Sequence, residues 1–66
     1  MREIPVVIYR EDETWVAQAL GVDVSSFGDT PEEALDAIQE ALELYFEDTV
    51  VEVRPVEDAR LRSVVV

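Results

Sequence analysis

Gly28-Asp29-Thr30-Pro31-Glu32-Glu33 (GDTPEE, residues 28–33) is the boundary on which the fold turns. It reads as a helix start, position by position. Gly28 stops what precedes it. The Thr30 hydroxyl is placed to accept a backbone N–H as an N-cap. Pro31 falls at the first helical position, where its missing N–H costs nothing. Glu33 stands three residues after the cap and completes a T-x-x-E capping box. Asp29, Glu32 and Glu33 add negative charge near the positive end of the helix macrodipole.

Downstream, Ala34, Leu35, Ile38, Ala41, Leu42 and Tyr45 recur at three- and four-residue spacing. That period predicts one apolar stripe on a helix running to about Glu47. Upstream, residues 3–10 (EIPVVIYR) and 14–20 (TWVAQAL) are short and rich in β-favouring residues, and the charged Glu11-Asp12-Glu13 between them suits a hairpin. Residues 22–27 (VDVSSF) alternate Val22, Val24 and Ser26 against Asp23, Ser25 and Phe27, the period of a third strand. Beyond the helix, residues 49–54 (TVVEVR) read as extended and residues 59–66 (ARLRSVVV) as a last strand.

The expected order is β-β-β-α-β, a single domain over residues 1–66. A helical return from the third strand makes the fourth parallel to it, and a right-handed crossover lays the fourth beside the first. The expectation is therefore a two-layer α+β unit, its mainly antiparallel sheet ordered 3-2-1-4 with one helix on one face. The first strand is apolar on both sides: Ile4, Val6 and Ile8 against Pro5, Val7 and Tyr9. One helix covers one face, so the second face is either exposed β-branched surface or a subunit contact. Trp15 and Phe27 are expected in the core or in such a contact.

Composition narrows the function classes. Sixteen acidic residues against five arginines give a net charge of −11, with no Lys, Cys or His. The clustered cations that a nucleic-acid binder needs are missing. Without Cys and His there are no thiol nucleophiles, imidazole bases or Cys/His zinc sites. No metal or cofactor loop is recognisable. Metal-dependent nuclease chemistry needs converging carboxylates, and the first strand has no acid in its middle. The expectation is a non-enzyme. No segment reads as a leader or a membrane span, which gives a cytoplasmic setting. Ordering a chain this short costs roughly 100 kcal/mol, and small scaffolds close that gap with disulfides, metals or partners. With cysteine absent, a homodimer or higher homo-oligomer is expected.

Asp36, Glu40, Glu43 and Glu47 are spaced 4, 3 and 4 apart and stack on one helix face. Like charges at that spacing each cost ~0.2–0.5 kcal/mol. They are the candidate partner-binding residues, the surface a cationic protein would meet. The competing reading is a solvated face that keeps the protein soluble. Gly28, Asp29, Thr30 and Glu33 are assigned to the turn and cap.

Several of these pieces occur together in a known order. They are Tyr9-Arg10-Glu11-Asp12-Glu13 at a hairpin tip, Trp15-Val16-Ala17, and Ser26-Phe27-Gly28-Asp29-Thr30. Pro31-Glu32-Glu33-Ala34-Leu35 and Glu40-Ala41-Leu42-Glu43-Leu44-Tyr45 follow. This arrangement, over about forty of the 66 residues, resembles the N-terminal domain of HicB-like antitoxins. The resemblance implies a partial RNase H-like fold. It also implies neutralisation of a small basic, RNA-cleaving HicA-like toxin. Family members commonly carry a C-terminal DNA-binding domain; the sequence to Val66 does not include one, so a stand-alone form without operator binding is expected. The usual proline in the second-to-third strand link is replaced around Leu20-Gly21. The alternative is an orphan homo-oligomeric interaction protein without catalytic activity.

Overall fold

The computed structural model describes residues 3–47 and 53–66. Its elements are β1 (Val6–Glu11), β2 (Thr14–Ala19), β3 (Ser25–Gly28) and α1 (Pro31–Glu47). The strands form an antiparallel sheet in the order β1-β2-β3, and the helix lies on one face. This is a two-layer α+β unit.

The hairpin is tighter than a three-residue break. Glu11 pairs with Thr14, which leaves a two-residue turn at Asp12-Glu13. Asp12 takes a φ of 57°. A positive φ at the first turn position matches the right-handed strand twist, and Asp tolerates it better than most side chains. Pro5 precedes β1 and so removes no donor from the strand. Its carbonyl accepts the Leu20 N–H at 2.9 Å.

Register assigns the faces. Val6 lies opposite Ala19, Ile8 opposite Ala17 and Ala17 opposite Ser26. These positions face the helix. Ala17, Ala19, Ala34 and Ile38 are buried there, with Ile4, Val6, Ile8, Trp15, Val22, Val24 and Leu42 packed around them. Small residues on β2 let the helix approach closely, so Ile38, 1% exposed, fills the centre. Leu35 fits the apolar period by sequence but is exposed: the stripe that meets the sheet runs through Ala34, Ile38 and Leu42.

The helix start forms as its residues dictate. The Glu33 N–H donates to Thr30 Oγ1 at 3.1 Å, and the Ala34 N–H donates to the Thr30 carbonyl at 3.0 Å. The Glu33 carboxylate accepts the Asp29 N–H at 2.9 Å, one residue further back than a standard capping box reaches. Replacing Thr30 with Ala is expected to cost about 1 kcal/mol in a denaturant melt. An unchanged midpoint would assign the cap to Glu33 alone.

The expected fourth strand does not form. Residues 59–66 contain no strand, so the observed sheet order is 3-2-1 rather than 3-2-1-4. The reading of residues 49–54 as extended falls largely outside the described residues; Val53 and Arg54 lie in no strand. Gly21 explains where the chain returns after the helix. It takes a φ of 91°, and a Cβ there would run into the Arg54 carbonyl oxygen. Residues 53–56 thus settle beside Leu20, Gly21 and Pro5. Past them, all of residues 57–66 are exposed. Arg60 there forks onto the Asp58 carboxylate at 3.0 and 3.1 Å. β-Propensity makes a strand only where a ladder partner receives it, and this segment lies on none.

Candidate binding surface

The helix presents its acids as its period requires. Asp36, Glu40, Glu43 and Glu47 are all exposed. At 1.5 Å per residue they extend over about 16 Å of one helix face. Among the described residues the ion pair is Arg60–Asp58, so no basic side chain neutralises this ridge. The last helical turn carries no basic residue and ends on Glu47, against the preference of the macrodipole. One local compensation was not expected from the sequence. Gln39 Nε2 donates to Glu43 Oε1 at 3.2 Å, an i,i+4 bond that fixes one carboxylate of the ridge. The arrangement can attract a cationic surface from a distance and then accept hydrogen bonds from it.

Gly28, Asp29, Thr30 and Glu33 form the turn into the helix, one turn before the ridge begins at Asp36, and the bonds given above occupy Asp29, Thr30 and Glu33. Among the described residues no group of three or more acids converges as a metal site would require, and no polar side chain is buried.

Two apolar features border the ridge or lie opposite it. The helix packs mainly on β3 and β2 and leaves β1 less covered. A groove of about 350 Å³ opens there, lined by Ile4, Gln39, Leu42, Glu43 and Phe46. Glu43 therefore belongs both to the ridge and to the groove. Sequence reading missed this groove, because it arises where residues distant in sequence fail to meet. The second feature is on the outer sheet face. Tyr9 lies opposite Val16, and Val16 opposite Phe27, which forms a row across all three strands. Phe27 is 72% exposed, which removes it from the core, whereas Trp15 packs against the core.

A family model described as "Family of unknown function (DUF7387)" matches residues 2–66, so the chain belongs to that family. No curated protein and no solved structure matches it. No described helix is long and apolar enough to cross a membrane.

Proposed function

We propose that this DUF7387 chain is a binding module that docks a small basic protein on the acidic ridge of α1. The observation that carries the reading is the ridge itself: Asp36, Glu40, Glu43 and Glu47, exposed and without a basic partner among the described residues. A sequence that keeps avoidable repulsion along one face recovers that cost when a cation arrives. The resemblance of residues 9–48 to HicB-like antitoxins supplies the partner class, a HicA-like ribonuclease that binding would block. The chain acts in this reading as an inhibitor without chemistry, metal or cofactor of its own.

The test first looks for a small basic protein in the neighbouring reading frame and uses it as the partner; its absence favours the orphan reading below. Glu40→Lys with Glu43→Lys leaves both side chains in solvent, so the circular dichroism stays unchanged. Association with the partner at low ionic strength is expected to slow by about tenfold or more, because steering by clustered charge raises on-rates by that order. An unchanged on-rate removes the ridge as the docking face.

The exposure of Phe27 favours a second reading, an orphan homo-oligomer that uses the row Tyr9, Val16 and Phe27 and has no other partner. A clustered apolar row rimmed by polar residues is a common mark of an interface.

A further inference from the structure

We propose that two copies of this chain exchange residues 59–66, each segment adding as a fourth strand to the free edge of β1 in the other copy. Leu61 and Val65 then enter the groove lined by Ile4, Leu42 and Phe46. The inference does not require the docking of a basic partner and shares with it only Glu43, on the rim of the groove.

The acceptor is the edge of β1. In the order β1-β2-β3 its outer side has no ladder partner among the described residues. Natural edge strands are guarded by lysines, prolines or bulges. β1 reads VVIYRE, apolar until its last two residues, with Pro5 only ahead of it. The groove opens just ahead of this edge, between Ile4 and the second half of the helix at Gln39, Leu42, Glu43 and Phe46. A strand added here would pair the open backbone groups and fill the groove together.

The donor is the segment that the body leaves out. Leu61 is 93% exposed, Val64 83% and Val65 97%. The segment contains no Pro, Gly or acid and ends in three valines, the composition of a strand. Alternation places Leu61 and Val65 on one side of it. The chain is also more extended than its length requires. Its radius of gyration is 12.8 Å, against about 11 Å for a compact chain of this size.

Charge fits the segment to the acidic body of a second copy, because residues 59–66 join no strand of their own sheet. All sixteen acids lie in residues 1–58, with three arginines, so that part carries 3 − 16 = −13. Residues 59–66 carry Arg60 and Arg62 and no acid, or +2. Two bodies this acidic repel each other, and the one basic β-forming element of the chain is the piece suited to bridge them. Glu43, on the groove rim, offers it a carboxylate. Mutual exchange closes with two-fold symmetry and leaves neither β1 edge open.

Light scattering of the full chain at micromolar concentration is expected to give twice the 7.5 kDa chain mass. Leu61→Asp with Val65→Asp should halve that mass with the helical circular dichroism unchanged, while Phe27→Asp keeps the doubled mass. In a sample mixed from isotope-labelled and unlabelled chains, the Leu61 and Val65 methyls should show contacts to Ile4, Leu42 and Phe46 between chains. A full chain of single mass overturns the proposal. So does a doubled mass that survives in the Leu61/Val65 variant, or that is lost in the Phe27 variant alone. Contacts confined to one chain overturn it in favour of a segment folded onto its own β1.

Discussion

Ile38→Ala is expected to remove a large fraction of the protein's stability. Ile38 is the largest fully buried side chain, and the residues buried with it are alanines: Ala17, Ala19 and Ala34. The core therefore has little else of comparable size at its centre. Truncating a buried Ile to Ala costs about 2–5 kcal/mol, through lost transfer energy and the cavity left behind. A domain of this length has a total stability of roughly 3–10 kcal/mol. The loss is then a large fraction of the whole, and thermal melting should move down by about 10 °C or more. Ile38→Val removes one methyl(ene) and should cost only about 1 kcal/mol. A shift under about 1 kcal/mol for the alanine variant would mean that the helix does not rest on the sheet through this residue.

Gly28→Ala is expected to separate the helix start from β3. A Cβ at Gly28 would lie 2.7 Å from the Ala34 nitrogen and 2.7 Å from the Glu33 Cβ. Both belong to the first helical turn and neither is the far end of a flexible side chain. The turn must move, at an overpacking cost of about 1–3 kcal/mol. The movement also pulls on the bonds from Glu33 to Thr30 and from Asp29 to Glu33, so the effect should exceed that of losing the Thr30 hydroxyl. Trp15, the one tryptophan, pairs directly across from Gly28, so its fluorescence reports the change locally. Full stability together with an unchanged Trp15 spectrum would show that the turn has room the geometry denies it.

The parts of this fold legible in the sequence are those fixed by neighbours along the chain. The helix Pro31–Glu47 follows from a cap, a proline and an apolar period within one stretch. The two faces of β1 follow from alternation alone, and Val6 and Ile8 do pack toward the helix. The acidic ridge follows from spacing, and all four of its residues are exposed. Leu35 marks the limit of that reasoning. Its period matches the stripe, yet the helix is rotated so that Ala34 and Ile38 meet the sheet. Rotation depends on how closely Ala17 and Ala19 let the helix approach, which is a property of β2.

Residues 59–66 mark the same limit on a larger scale. Their β-favouring side chains are unmistakable, but a strand exists only with a partner edge, and the edge of β1 is some fifty residues away in the chain. The groove between Ile4 and the helix has the same origin. Sequence by itself determined the local elements, the α+β class and the placement of charge, because short-range sterics, capping and period act within a few residues. Tertiary structure alone decided that no fourth strand joins the sheet, the exposure of Phe27 and of residues 59–66, and the groove, because each depends on which distant surfaces meet and which are left without a partner.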